Sequence, residues 1–123
     1  MTDRRTSTNP EPKVLVDLYD FAPWLMQRNN RMPKNWRVTL GDSIDRQLLE
    51  MLAQGQLARM RRDKGMLLDG LSEQLEILRI QIRLSHDLGG LNTRQYGHAS
   101  ERLEEIGRQL GGWIKQQRKK PEQ

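Results

Sequence analysis

YGHASERLEEIGRQLGGWIKQQRKK, residues 96–120, is the stretch on which the fold turns. Its apolar residues Tyr96, Ala99, Leu103, Ile106, Leu110 and Trp113 recur at spacings of 3 and 4, which places them on one stripe of an α-helix. Such a stripe has to be covered by partner helices. Gly107 and Gly111 stand one turn apart beside it, each costing roughly 1 kcal/mol of helix propensity relative to alanine, and the pattern predicts close backbone approach there. Beyond Ile114 come Lys115, Arg118, Lys119 and Lys120, so the helix ends in a positive tip.

Upstream, three further segments carry the same period. Leu15, Leu18, Ala22, Leu25 and Met26 share a face of a first helix, with Tyr19 and Trp24 beside it. Pro23 lies inside this helix and predicts either a kink or a start closer to Phe21, because proline removes a donor and clashes one turn back. The stretch from Gln27 to Trp36, with Asn29, Asn30, Pro33 and Asn35, reads as a connection, made strongly basic by Arg28, Arg31, Lys34 and the adjoining Arg37. A second helix is expected from about Thr39 to about Arg62, with Leu40, Ile44, Leu48, Met51, Leu52, Gly55 and Ala58 on its stripe. It closes on Arg59, Arg61, Arg62 and Lys64, cations suited to a helix C-terminus.

The third helix, about Met66 to about Leu88, has two adjoining stripes. Leu68, Leu71, Leu75, Leu78 and Ile82 form one; Ile77, Ile80, Leu84 and Leu88 form the other. That is wider than one bundle core requires and implies a central position or a subunit interface. Gly89 and Gly90 end the helix with a left-handed cap, and Asn92 with Gln95 forms a capping box that starts the fourth.

Four helices of similar length joined by short turns predict an all-α fold, an antiparallel up-down four-helix bundle. Residues 1–13 read as a disordered tail, 14–116 as the bundle and 117–123 as a basic C-terminal tail. Up-down order puts the Arg59 to Lys64 turn at the same end as Lys115 to Lys120, and the Arg28 to Arg37 connection at the other end beside Arg94. Charged residues make up 30% and aromatics 5% of the chain, which suits narrow helical stripes better than strands.

Lys and Arg number 21 against 16 Asp and Glu, so an anionic partner is favoured. There is no cysteine, which excludes disulfides and thiolate metal sites and fits a reducing compartment. No apolar run reaches the ~20 residues of a membrane span, and residues 1–12 are not signal-like, so a cytoplasmic protein with no membrane partner is expected.

The pieces LYDFAPWLMQ (18–27), TLGDSID (39–45), LEILRIQIRLSHDL (75–88) and QYGHASERLEEIGRQLGGWIK (95–115) resemble the accessory variability proteins, Avd, of diversity-generating retroelements. The similarity covers about residues 14–116. A more distant similarity is to the four-helix proteins encoded by intervening sequences of large-subunit ribosomal RNA genes. The Avd resemblance implies a four-helix bundle that assembles as a ring or barrel homo-oligomer, a pentamer. It implies nucleic-acid binding (template-repeat RNA, or DNA or an RNA–DNA hybrid) and association with the element's reverse transcriptase, in support of mutagenic retrohoming. It also implies no catalytic role. Arg79 and Arg83, in LRIQIRL, fall where the family carries arginines, and the resemblance implies RNA or transcriptase contacts there.

The bland readings stand beside these. Arg79 and Arg83 could pair with Glu76 and Asp87 on a solvated face. The cations from Arg59 to Lys64 could serve only the helix dipole, and Lys115 to Lys120 only solubility. Trp113 belongs to the core stripe, whereas Trp36 sits in a basic loop, open to a base or a partner protein. His86 and His98 are the only histidines and make no Glu-x-x-His pair, no GxxxxGK or GxGxxG phosphate loop occurs, and neither catalysis nor a cofactor or metal is expected. The alternative function is an oligomeric structural or interaction bundle with general RNA or ribosome association.

Overall fold

The computed structural model describes residues 11–119, which are helical apart from short connections. Helix α1 spans Lys13–Asn30, α2 Asp42–Met60, α3 Gly65–Asp87 and α4 Thr93–Lys119. A single α-turn, Lys34–Trp36, and a π-helical segment, Arg37–Gly41, lead into α2. Met1 to Pro10 of the expected tail, and Lys120 of the terminal basic run, lie outside the described residues.

Of the two outcomes Pro23 allows, the late start is excluded. The helix is continuous from Lys13, its first turn closed by Leu15 N–H and Val16 N–H donating to the Pro12 carbonyl at 3.0 and 3.2 Å. Proline is tolerated because Pro23, Tyr19 and Asp20 all lie on the solvent side, where water can satisfy the carbonyl one turn back. The expected start of the second helix at Thr39 is corrected as well. Helical structure begins at Lys34, and the Asp42 N–H reaches back to the Arg37 carbonyl across a widened turn. Residues 33–39 are exposed, so no apolar period marked the segment. At its other end α2 stops at Met60 rather than Arg62, because Arg61 is extended (φ −99°, ψ 149°).

The α3 to α4 connection follows the sequence. Gly89 adopts φ 87°, and the N–H groups of Gly89 and Gly90 satisfy the carbonyls of His86 and Ser85 at 3.1 and 2.7 Å. Asn92 and Gln95 cap reciprocally: Asn92 N–H donates to Gln95 Oε1 (3.0 Å) and Gln95 N–H to Asn92 Oδ1 (2.7 Å).

Each helix touches its neighbours in a closed cycle, α1 on α2, α2 on α3, α3 on α4, and α4 on α1. The core runs down the middle. It takes Leu18, Phe21 and Leu25 from α1, Ile44, Leu48 and Met51 from α2, Leu71, Leu75, Leu78 and Ile82 from α3, and Ala99, Leu103, Ile106 and Leu110 from α4. Each such leucine or isoleucine contributes about 1.5–3 kcal/mol by leaving water. Tyr96 and Trp113 extend the α4 stripe as half-buried flanks.

Polar side chains fix how the helices meet. Buried Asp17 of α1 accepts from Lys13 Nζ at 2.8 Å and from Gln109 Nε2 of α4 at 2.9 Å, with Arg102 3.9 Å away. At the far end of α1, buried Asn29 donates to Asp45 of α2 at 2.8 Å. Gln54 donates to the Leu67 carbonyl, and Gln81 to Ser43 Oγ, across the α2–α3 seam.

Burial alone would raise the Asp17 carboxyl, but hydrogen bonds from Lys13 and Gln109, with the Lys13 and Arg102 charges, hold it below its ordinary value. A depressed carboxylate stabilises the fold above its unfolded pKa, and that contribution is lost as pH falls through the folded value. Chemical denaturation between pH 6 and pH 2 is therefore expected to show falling stability below about pH 4, with a shallower fall in Asp17→Asn.

Candidate nucleic-acid interface

The cations singled out in the sequence meet different fates. Arg79 is a structural tie: its Nη2 donates to the Leu103 carbonyl of α4 at 3.2 Å, and its guanidinium lies 3.3 Å from Glu76 and 3.8 Å from Glu104. Gly107 makes room for it, since a Cβ there would lie 2.8 Å from Arg79 Nη2 and 3.3 Å from Leu75 Cδ2. The close backbone approach expected at Gly107 is not what is found: the atoms that come near it belong to the side chains of Arg79 and Leu75 on α3. Arg83, one turn on, is exposed and has no ion-pair or hydrogen-bond partner among the described residues. Asp87 contacts His86 Nδ1 instead (3.3 Å).

At the α2–α3 turn, Lys64 folds back so that its Nζ donates to the Ala58 carbonyl at 2.8 Å and to the Arg61 carbonyl, capping α2. Arg59 lies half-buried on the groove between α1 and α2. Arg61 and Arg62 point to solvent. Arg118 lies 3.6 Å from Asp69 in the first turns of α3, which brings Lys115, Arg118 and Lys119 to the same end as Arg61 and Arg62. That end is a convergence of chain segments about 55 residues apart, held at helix termini where carbonyls favour cations.

The opposite end carries Arg28, Arg31, Lys34, Arg37 and Arg94. Arg37 Nη1 donates to the Asn30 carbonyl at 3.5 Å, while Arg31, Lys34 and Arg94 are exposed. Arg28 sits 4.6 Å over the Trp24 ring and donates to the Trp24 carbonyl at 3.1 Å. Trp24 in turn contacts the His98 ring of α4, with centroids 4.7 Å apart. Nothing in the spacing of the sequence announced this pairing. Trp36 is 39% exposed, and His86 stacks on Tyr96 at 4.7 Å. Among the described residues no group of three or more His, Asp or Glu side chains is placed to hold a metal ion. No described helix is long and apolar enough to cross a membrane.

Exposed apolar surface is unevenly divided. Val16 and Tyr19 lie exposed on α1, Leu49, Leu57 and Met60 on α2, and Met66, Ile77, Ile80 and Leu84 on α3, whereas α4 exposes no large apolar side chain. The second apolar stripe of α3 therefore faces outward, opposite the core, with Ile80 62% exposed. A groove of about 710 Å³ between α1 and α2 adds Leu15 and Leu52 to this apolar side.

A protein-family model described as bAvd-like matches residues 14–117. Comparison with curated proteins and with solved structures finds no match.

Gly107 and Gly111 of α4 behave differently. A Cβ at Gly111 would meet nothing within 4 Å, so the approach expected there does not occur among the described residues. Gly111→Ala is expected to raise unfolding free energy by about 0.5–1 kcal/mol in a denaturant titration. Gly107→Ala gives no such gain, because it displaces the Arg79 guanidinium.

Proposed function

Because the chain belongs to the bAvd-like family, we propose that it is a non-enzymatic accessory protein of a diversity-generating retroelement. It binds the element's reverse transcriptase and its template-repeat RNA, or a DNA or hybrid form, and so supports mutagenic retrohoming in the cytoplasm. The family match over residues 14–117 carries this reading. The convergence of Arg61, Arg62, Lys115 and Lys119 at one end supports it. The work is positioning and charge neutralisation: several exposed cations meet phosphates with little regard to base sequence, and salt weakens the contact steeply.

The reading includes an antiparallel up-down bundle that closes into a homo-oligomeric ring or barrel. The contact of Leu15 with Gly55, beside that of Asn29 with Asp45, supports the antiparallel sense for α1 and α2. Self-association buries the apolar outer faces of α1, α2 and α3 and leaves polar α4 outside. Five copies is the number the family resemblance implies. The interior ties of Arg79 and Lys64 favour, as a second reading, an oligomeric bundle in which part of the charge is structural.

Two experiments test the reading. Arg61→Ala, Arg62→Ala and Arg83→Ala together are expected to weaken binding to structured RNA and to lower the slope of log affinity against log salt by about 1 for each phosphate no longer neutralised, with the oligomer intact. Unaltered protein that binds no RNA even at low salt would favour the second reading. Ile80→Asp with Leu84→Asp is expected to give a helical monomer by light scattering and circular dichroism; an unchanged oligomer would remove α3 from the interface.

A further inference from the structure

At the seam between α1 and α4 a row of flat side chains runs from the core, at Phe21, out to the surface, at His98. Phe21 stacks on Trp24 with centroids 5.8 Å apart, the Arg28 guanidinium lies 4.6 Å over Trp24, and His98 of α4 contacts Trp24 at 4.7 Å. His98 is exposed, and among the described residues its ring nitrogens have no hydrogen-bond partner. The row therefore ends in an imidazole with one face and two polar atoms available to a ligand.

Cations flank that face. Arg94 and Arg102 stand four residues before and after His98, on the same stripe of α4, about 12 Å apart along the helix axis. Arg94 is exposed and Arg102 is partly so, its only described ion pair being the 3.9 Å approach to Asp17. Two neighbouring carboxylates are spoken for: Asp17 is held by Lys13 and Gln109, and Glu105 pairs with Arg108 and Gln109, while Glu101, one turn after His98, and Asp20, one turn before Trp24, are exposed. Aromatic and guanidinium planes set among such cations are the chemistry that holds unpaired bases and their phosphates. A duplex keeps its base faces stacked inside and cannot offer them.

We propose that the α1–α4 seam is a binding site for single-stranded nucleic acid, in which a nucleobase stacks on the solvent face of His98 and the flanking phosphates contact Arg94 and Arg102. Trp24, its ring tilted 53° to the imidazole, contacts His98 from the α1 side, and Arg28 packs on Trp24. The site rests on the nucleic-acid reading above but is separate from the basic end formed by Arg61, Arg62 and Lys115. The groups that would touch the ligand, Arg94, His98 and Arg102, lie on α4, the helix that exposes no large apolar side chain.

The test uses the full-length oligomer and labelled 12-nucleotide oligo(A), single-stranded and as a duplex with oligo(U). His98→Ala is expected to weaken single-strand binding roughly tenfold or more in fluorescence anisotropy, with duplex binding unchanged, while His98→Phe restores the stack and the affinity. With Trp36→Phe and Trp113→Phe leaving Trp24 as the sole indole, single strand is expected to shift its emission and duplex to leave it unmoved. Unaltered affinity in His98→Ala together with silent Trp24 emission would overturn the site. If the Arg61, Arg62 and Arg83 variant still lost binding in that case, the broader nucleic-acid reading would survive. An unaltered protein that bound neither oligonucleotide would overturn both.

Discussion

The bundle depends on α4 closing the core against α1 and α3. Its apolar stripe is narrow, only Ala99, Leu103, Ile106 and Leu110 being buried, with Tyr96, Trp113 and Ile114 half-buried towards its ends and mostly polar residues elsewhere. A stripe of this width has little freedom to rotate, because a small turn about the axis would bring a charged residue onto the core. Two polar ties lock that rotation. Gln109 reaches Asp17 on one flank and Arg79 reaches the Leu103 carbonyl on the other, so α4 is pinned from both neighbours. Each tie is reinforced by a further polar contact, Asp17 also accepting from Lys13 and Arg79 also pairing with Glu76.

That arrangement divides the surface into regions of different character. The three helices that do not close the core so narrowly have apolar residues to spare, and these lie outward as Ile77, Ile80 and Leu84 on α3 and Leu49, Leu57 and Met60 on α2. Patches of this kind on a chain with mean hydropathy −0.85 support the proposed self-association, since the remaining surface is well supplied with charge. The exposed cations, by contrast, gather at the helix ends, where unpaired carbonyls favour them and where separate chain segments converge. The proposed self-association and the proposed polyanion binding would thus draw on different parts of the molecule and need not compete.

Family membership and the physical reading support each other unequally. The match across residues 14–117 identifies the lineage, while the structure says which of the basic residues are available. Arg79 and Arg83 look equivalent in LRIQIRL, one turn apart, yet one is a tie within the bundle and the other faces solvent. Lys64 likewise belongs to the end of α2 rather than to open charge. Substituting Arg79 would therefore confound folding with binding, whereas Arg83, Arg61 and Arg62 carry charge without supporting the core.

Period, caps and charge order were legible from the chain alone, because each depends on residues within a few positions of one another. The stripes of all four helices, the Asn92–Gln95 box and the left-handed Gly89 follow from 3.6-residue geometry and local backbone preference. The α-turn and π segment before Asp42 escaped that reading because exposed residues carry no apolar period. Which arginines are spent, why Gly107 but not Gly111 meets a neighbour, and how His98 comes to lie on Trp24 were decided only by the tertiary structure. Those pairings join residues as far apart as 24 and 98, or 17 and 109, and only the register of one helix against another brings them within contact.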